Sequence, residues 1–306
     1  AEGGSSLNEF ELQASQYAAN KYFFLSHYFR NNYNDALKDF PIINSSINII
    51  GVEVWVTNRG SSTENVRNIV ALTDLGENGV DFYDATLENI TNENIDLDFS
   101  YPYLNPDNQA NTLYAVLTDE GIRNIGSVKS TLINAGLVDP APVQGSDYTI
   151  LENAKKLSSN EYSFHPQLGV LTLNRNLTDG DVLGVAFQYT ITGDERVFQV
   201  GELSSDGIPS DENLVVKMLR SEIKEPGKRI WYLMMKNVYS LGAYQMQPKG
   251  FLFEVLYKDD KTGVAINSLQ NAKSTYNDVV VSDRTLLSLM KLDSLDQNNF
   301  LKPKGD

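Results

Sequence analysis

Alternation of apolar and polar residues with a period of two constrains the fold of this chain more than any other feature. Within residues 50–56, one face carries only isoleucine and valine, whereas Glu53 and Trp55 lie on the other face. The segments 182–192 and 251–257 alternate in the same way, and all three are rich in β-branched or aromatic residues. This pattern predicts β-strands that bury one face against a core.

Shorter segments of the same kind, separated by turn residues, extend the pattern. They are found at residues 68–72, 170–173, 197–200 and 213–219. The turn residues Thr178–Asp181 predict a hairpin that joins 170–173 to 182–192. Strands at this spacing, with helices grouped elsewhere, favour an antiparallel sandwich over a doubly wound sheet. We therefore expect an α+β fold, mainly β, built on a jelly-roll-like antiparallel β-sandwich.

Helical signals lie between and before these strands. Residues 10–29 lack proline and glycine and place aromatic side chains on one stripe, which predicts an N-terminal helix. Ser127 is a suitable N-cap for a helix over 128–135. Helical spacing recurs at 231–241, and a last helix is expected at 284–292.

These signals predict three parts along the chain. Residues 1–80 hold the N-terminal helix and the first strands of the sandwich. Strand signals fade in residues 81–160, which we interpret as a helical and loop-rich insertion. Residues 161–306 supply the remaining strands and the C-terminal helix.

Charge and composition exclude several classes of function. The chain has 25 Lys and Arg residues against 40 Asp and Glu residues, a formal net charge of −15, which disfavours nucleic acid and anionic membranes as partners. It contains no cysteine and only two histidines, His27 and His165, so thiol nucleophiles and zinc–thiolate sites are excluded. There is no run of 18 apolar residues and no signal-peptide pattern. We expect a soluble, cofactor-free fragment of a longer protein.

Candidate catalytic groups are few, and each has a simpler interpretation. Ser163 lies two residues from His165, but a Gly-x-Ser-x-Gly elbow is missing, so a serine triad is disfavoured. Paired carboxylates could in principle hydrolyse glycosides. The candidate pairs, all in turn-like or loop-like segments, are Asp179 with Asp181, Asp96 with Asp98, and Asp259 with Asp260. Aspartate is common in such segments for local hydrogen bonding, so we expect no enzyme activity.

Binding sites are also suggested only weakly. Oxygen-bearing side chains that could bind calcium cluster near the end of the chain, at Asp293, Asp296, Asn298 and Asn299. Three segments match the N-glycosylation pattern, at Asn44, Asn89 and Asn176. Trp55 lies opposite the valines of its strand, where it would either form an exposed sugar-binding platform or pack under the N-terminal helix. We favour the packed position.

Many segments resemble those of one family, both in their amino-acid sequences and in their order along the chain. The segments are Phe24–Arg30, Ile47–Arg59 (INIIGVEVWVTNR), Arg67–Gly76 (RNIVALTDLG), Gln167–Tyr189, Asn213–Arg220 (NLVVKMLR), Trp231–Gln245, Phe251–Asp260 (FLFEVLYKDD) and Leu292–Asn299 (LDSLDQNN). Together they resemble the SprA/Sov family of very large outer-membrane proteins from Bacteroidetes. The resemblance covers nearly the whole chain, although none of the segments is a catalytic motif.

The resemblance implies a non-catalytic region of the type IX secretion translocon, which is also required for gliding motility. It implies partners such as a PorV-type barrel protein, a plug protein and a peptidyl-prolyl isomerase, besides other parts of the same giant barrel protein. The fragment would belong to an outer-membrane protein and face the periplasm or the cell surface. The alternative from the residues alone is a carbohydrate-binding β-sandwich module of a cell-surface protein.

Overall fold

The computed structural model describes residues 10–39, 42–60, 63–77, 105–111, 113–119, 121–135, 142–242, 253–269, 285–289, 294–295 and 301–302. The chain divides into two compact units. The first comprises Ala1–Asn31 and Ser46–Leu241, and the second comprises Asn32–Ser45 and Gly242–Asp306.

The elements follow one another in a mainly β order. They are β1 (Tyr22–Phe24), α1 (His27–Leu37), β2 (Ile47–Val56), β3 (Val66–Leu72), α2 (Leu113–Asp119), α3 (Val128–Asn134), β4 (Tyr148–Lys156), β5 (Tyr162–His165), β6 (Val170–Leu173), β7 (Leu183–Ile191), β8 (Val197–Val200), β9 (Leu214–Arg220), β10 (Tyr257–Lys258), β11 (Ala265–Ile266), α4 (Leu286–Leu289), β12 (Ser294–Leu295) and β13 (Leu301–Lys302).

Five of the described strands close into a barrel, where a sandwich was expected. Their order is β2-β4-β3-β9-β7, and β7 pairs again with β2 to close the ring, while β8 extends from β7. Four of the five pairings are antiparallel, but β3 and β9 run parallel. The fold is therefore α+β and mainly β, as predicted. The closed, mixed barrel corrects the prediction of an antiparallel sandwich, because closure depends on pairings between distant strands that alternation does not encode.

Two of the barrel strands, β7 and β9, bury most of both faces. Gly184 pairs with Trp55 on β2, and a Cβ atom on Gly184 would lie 3.4 Å from Ile69 Cδ1 on β3. Since β3 and β7 are not neighbours, this approach crosses the barrel interior. Val185 and Phe187 point the other way and are also fully buried. The prediction of a single buried face is thus wrong for β7.

The start of α1 covers part of the outer face of the barrel, since the centre of the Phe29 ring lies 6.1 Å from that of Phe187 on β7. A separate three-stranded sheet has the order β1-β6-β5. Residues predicted as one helix over 10–29 instead form a short 3₁₀ helix (Ala14–Gln16), β1 and the beginning of α1. Asn20 has φ of 59°, in the left-handed region, which interrupts a helix, and Phe23 pairs with Leu171 on β6. The predicted hairpin between β6 and β7 is also wrong, since β6 pairs with β1 and β5.

Helices α2 and α3 cover another part of the barrel. Leu117 on α2 and Leu132 on α3 belong to one buried cluster with Val70 on β3, Tyr148 on β4 and Val215 on β9. Helix α3 lies where the sequence predicted a helix over 128–135. Strand β4, however, lies within the region 81–160 that was interpreted as helical and loop-rich. Its period of two is interrupted by Asn153, which has φ of 51° at a bulge opposite β3.

Two further elements differ from prediction. A short 3₁₀ helix, Arg229–Leu233, is followed by extended chain where a helix was expected at 231–241. In the second unit, strand structure in the described part of 251–257 is limited to Tyr257, which pairs with Ile266 on β11. Residues 253–256 lack a strand partner among the described residues, and alternation alone does not hold an extended segment in a sheet. Helix α4 lies within the predicted 284–292.

Candidate functional site

The structure places Ser163 and His165 together on β5 but does not arrange them as a catalytic pair. His165 Nδ1 accepts hydrogen bonds from the backbone N–H groups of Gln167 and Leu168, each at 3.3 Å. In a serine triad this nitrogen would instead donate its proton to a carboxylate. Burial lowers the pKa of His165. His165 therefore closes the turn between β5 and β6.

The predicted carboxylate pair at Asp179 and Asp181 is held by cations. Arg59 Nε donates to Asp181 Oδ1 at 2.6 Å, and Thr178 donates to Asp181 Oδ2 from both its N–H and its hydroxyl at 2.8 Å. Burial acts to raise the pKa of Asp181, but the hydrogen bonds from Arg59 and Thr178 outweigh it and the pKa is lowered. A hydrogen bond from Lys224 lowers the pKa of Asp179. A glycosidase acid needs a raised pKa, so neither carboxylate is suited to that role.

The other sequence candidates are turn residues or lie outside the described part. Asp259 accepts hydrogen bonds from the Thr262 hydroxyl at 2.8 Å and from the Lys261 N–H at 3.2 Å, which closes the turn between β10 and β11. The candidates that fall outside the described residues are Asp96, Asp98, Asn89, Asp293, Asp296, Asn298 and Asn299. Within the residues that are described, no group of three or more His, Asp or Glu side chains is placed to hold a metal ion.

Trp55 is one of the largest buried side chains, with 1% of its surface exposed. It lies on the interior face of β2, opposite Gly184, and Lys156 Nζ stands 5.9 Å from the centre of its ring. The expectation that Trp55 packs inside is confirmed, although the barrel covers it and not an N-terminal helix. Trp55 cannot act as an exposed sugar-binding platform.

A buried ionic cluster, which sequence reasoning missed, joins β9 to the loop after β3. It consists of Lys217, Glu77 and His27, and we call it the Lys217 cluster. Lys217 Nζ lies 2.7 Å from Glu77 Oε1 and donates to the carbonyl oxygens of Thr73 at 3.0 Å and Leu75 at 3.3 Å. Glu77 Oε1 also accepts the backbone N–H of His27 at the start of α1, at 3.1 Å.

Burial and charge shift the pKa values in the Lys217 cluster strongly. The pKa of His27 is lowered from 6.5 to about 3, mainly by burial; Glu77 opposes the change, and the charges of Arg229, Lys217 and Arg30 add to it. For Glu77, burial acts to raise the pKa, but the charges of Lys217, His27 and Arg229 and the hydrogen bond from Lys217 together outweigh it, and the pKa falls to about 2. His27 is therefore neutral and Glu77 ionised at neutral pH, an arrangement that fixes the loop after β3.

A second ionic cluster fastens the helices to the barrel. Glu202, which is 1% exposed, accepts two hydrogen bonds from the Arg123 guanidinium, at 2.6 and 2.5 Å. The Tyr114 hydroxyl on α2 donates to Glu202 Oε1 at 2.8 Å, and the Val215 N–H on β9 donates to Oε2 at 2.7 Å. Bidentate arginine–carboxylate pairs of this kind fix orientation as well as distance.

A third cluster brings a serine and a lysine together. Lys156 Nζ donates to Ser204 Oγ at 2.7 Å and to Glu53 Oε1 at 2.5 Å, while the Ser204 N–H donates to Glu53 Oε2 at 2.9 Å. A lysine that activates serine must be neutral. In this protein Lys156 is instead ion-paired with Glu53. The cluster therefore ties the loop after β8 to the barrel strands.

A small pocket lies at the end of β9, with a free volume of about 30 Å³. We call it the Arg220 pocket. Arg220, Ser221 and Lys224 line its polar side, and Ile230 and Trp231 contribute to its apolar side. The polar side is supplied by β9 and the chain just after it, and the apolar side by the 3₁₀ helix that follows. It brings a buried guanidinium, an exposed ammonium and an aromatic side chain to one place.

One signal in the sequence could have pointed to these sites. Strand β9, LVVKMLR, is buried at all of its residues, yet it carries Lys217 and Arg220. Charged residues are seldom fully buried unless they are paired, so each implies a specific partner. The partners are Glu77 for Lys217, and Asp179 with the carbonyl oxygen of Asp181 for Arg220. They are distant in sequence and could not be identified from it.

The chain matches a known protein family. A family model named SprA_N, described as "Motility related/secretion protein", matches residues 1–177. A search of curated proteins found no match. Among the described residues, none of the helices combines the length and apolarity needed to cross a membrane.

Proposed function

The chain belongs to the SprA_N family of motility-related and secretion proteins, and from this we propose that it is a non-catalytic scaffold of a secretion translocon. In this role it presents a fixed surface on which other proteins, or other parts of the same protein, dock. More specifically, we assign the chain to the type IX secretion system, as a region of a giant outer-membrane protein. This region faces the periplasm or the cell surface.

The observation that carries the proposal is the use made of buried charge. Three buried carboxylates occur among the described residues, Glu77, Asp181 and Glu202, and each is ion-paired with a cation from another segment. A general acid or base must be able to exchange its proton in a reachable site. These carboxylates instead hold connecting segments on the barrel, which is what a rigid docking surface requires.

The segments held in this way are the ones a partner could contact. Glu202 and Arg123 bind the helical cover, and Glu53 and Lys156 bind the loop after β8. Fixing a loop before binding lowers the entropy lost on association, so such loops suit protein recognition. A PorV-type barrel protein, a plug protein or a peptidyl-prolyl isomerase are the partners proposed.

A carbohydrate-binding module is the other function that the sequence left open. The residue that favoured it, Trp55, is buried inside the barrel. We therefore retain glycan binding only as an outcome of the test below.

The test uses the full-length protein in its own cell. Phe187→Asp places a charge at a fully buried position, whereas Gln188→Asp changes a partly exposed neighbour on the same strand. We expect Phe187→Asp to stop secretion and motility while the membrane-inserted part of the protein remains present in the outer membrane. Gln188→Asp should leave both activities intact.

Unimpaired secretion and motility in the Phe187→Asp strain would overturn the scaffold proposal, provided that the purified variant is shown to be unfolded. Glycan arrays and a panel of glycosidase substrates on the purified wild-type chain test the alternatives. Saturable glycan binding or turnover, together with intact secretion in the variant, would support the carbohydrate-binding or enzyme function instead.

A further inference from the structure

We propose that the Arg220 pocket binds the carboxylate group of a protein segment, with Arg220 and Lys224 as the cations that recognise it. The proposal specifies the chemical group that a partner presents to the pocket. The role of the pocket in secretion rests on the proposed function. Binding itself is a property of the chain that can be measured separately.

Arg220 is built into the pocket as a charged side chain with unused hydrogen-bonding capacity. Arg220 is 5% exposed. Its Nε donates a hydrogen bond to Asn20 Oδ1 at 3.1 Å, and its Nη1 donates to the carbonyl oxygen of Asp181. Nη2 makes no hydrogen bond within the described part of the chain. Leaving a buried charged donor unsatisfied is costly, so an acceptor that reaches Nη2 gains more than one at the surface.

Asp179 shows which chemical group suits these cations. Its Oδ1 lies 3.8 Å from Arg220 Nη2, too far for a hydrogen bond, and it also accepts a hydrogen bond from Lys224 Nζ. The Asp179 side chain is 87% exposed, so little packing holds it there. Nη2 itself is buried, so in the proposed complex an incoming carboxylate displaces Asp179 in order to come within hydrogen-bond distance of it.

The size and walls of the pocket restrict the ligand further. The enclosed space is small, about 30 Å³, which suits the end of one side chain. Ile230, Trp231 and Met234 form an apolar wall for the carbon chain that carries the carboxylate. Glu225 also borders the pocket, and its negative charge, with that of Asp179, opposes a phosphate dianion more than a carboxylate.

Two sources supply such a group, a chain-terminal carboxylate and an acidic side chain. The probes are therefore three peptides of equal length, each acetylated at its N-terminus. The first has a free C-terminal carboxylate, the second is its C-terminal amide, and the third is a C-terminal amide with one internal glutamate. Inorganic phosphate is a fourth probe. Binding to the purified 306-residue protein is followed by NMR chemical-shift changes, which detect dissociation constants in the millimolar range.

We expect saturable binding of a carboxylate peptide and none of the neutral amide. The free-terminus and glutamate peptides identify the source by their relative affinities. Lys224→Gln should weaken binding about ten-fold, as expected for loss of one charge-assisted contact, and Asp179→Asn should strengthen it by several-fold because a competing carboxylate is removed. Arg220→Gln should abolish binding.

Arg175→Gln is the matched control, because it removes an equal charge from an exposed residue that does not line the pocket. Equal binding of the amide peptide, tighter binding of phosphate, or an Asp179→Asn variant that binds no better would overturn the proposal. Should Arg220→Gln fail to fold, Lys224→Gln and Asp179→Asn decide the question. Peptide binding lost in Lys224→Gln with secretion unchanged would leave the pocket standing and remove its role in secretion.

Discussion

Lys217 Nζ lies 2.7 Å from Glu77 Oε1, and the two side chains are 0% and 1% exposed to solvent. Each charge makes the burial of the other tolerable, and neither has water to replace a lost partner. Lys217 belongs to β9, and Glu77 lies in the loop after β3, the strand that pairs in parallel with β9. The pair therefore also fixes this loop.

Removing one partner of this pair should destabilise the protein strongly. We expect Lys217→Met to lower the free energy of unfolding by about 3–5 kcal/mol, because Glu77 is left buried without a counter-charge. Urea unfolding followed by circular dichroism measures the change. Lys228→Met, which breaks the more exposed pair with Asp147, should cost no more than about 1 kcal/mol. Comparable losses in the two variants would contradict the burial of Lys217.

Acid should destabilise the chain first through His27. Its pKa is lowered in the folded state to about 3, whereas the unfolded chain takes up the proton near pH 6.5. Stability is therefore fully present above pH 6.5 and declines as the pH falls, by about 2 kcal/mol at pH 5 from this group. Glu77, with its pKa lowered to about 2, adds a further loss only below about pH 4.5.

Replacing His27 tests that assignment. In His27→Asn the decrease in stability between pH 7 and pH 5 should shrink by about 2 kcal/mol, since the titrating group is gone. His165→Asn is the control; burial also lowers the pKa of His165, but this side chain is partly exposed and should account for less of the decrease. A pH profile unchanged in His27→Asn would show that His27 accepts its proton in the folded protein.

The barrel interior should not tolerate a side chain at Gly184. An added Cβ atom would lie 2.8 Å from Val216 Cγ2 and 3.4 Å from Ile69 Cδ1. We expect Gly184→Ala to destabilise the fold by about 1–3 kcal/mol through overpacking. Gly51→Ala, on β2, meets no atom within 4 Å and serves as the control. Thermal melting compares the two variants, and a Gly184→Ala protein as stable as Gly51→Ala would place Gly184 outside the core.

The outer face of β7 offers a second test of burial. Phe187 is fully buried and its ring packs 6.1 Å from that of Phe29, so Phe187→Asp should abolish the cooperative melting transition. Gln188 donates from its side chain to Gln199 Oε1 at 2.7 Å, and Gln188→Asp should cost about 1 kcal/mol at most. Equal melting temperatures would mean that the face assignment of β7 is wrong.

Local patterns predicted the short strands well but not the way they assemble. Strands β6 and β8 begin and end at the predicted residues, because each is a brief alternation bounded by turn residues. Ile50, predicted on the buried face of β2, is 52% exposed instead. A bulge between Ile49 and Gly51 shifts the register there, and a single extra residue of this kind leaves no mark in the composition.

The candidate sites were less predictable still. Ser163, His165 and the aspartate pairs were found by short-range spacing. In the structure His165 and Asp259 hold turns, and Asp181 forms a salt bridge. The Lys217 cluster and the Arg220 pocket depend on residues brought together from distant segments. The family resemblance, in contrast, rested on many segments in one order, and the match over residues 1–177 confirms it.

The closure of the barrel across its last strands sets the order in which the protein can fold. The matched family region ends at residue 177, whereas β7 and β9 lie beyond it. Until these strands emerge, β2 and β3 each have one edge without the neighbour that closes the ring, and open edges of this kind recruit other chains. Long-range pairings also form slowly. A polypeptide shortened to the family boundary would remain permanently in this aggregation-prone condition, whereas one that extends past Arg220 can complete the ring.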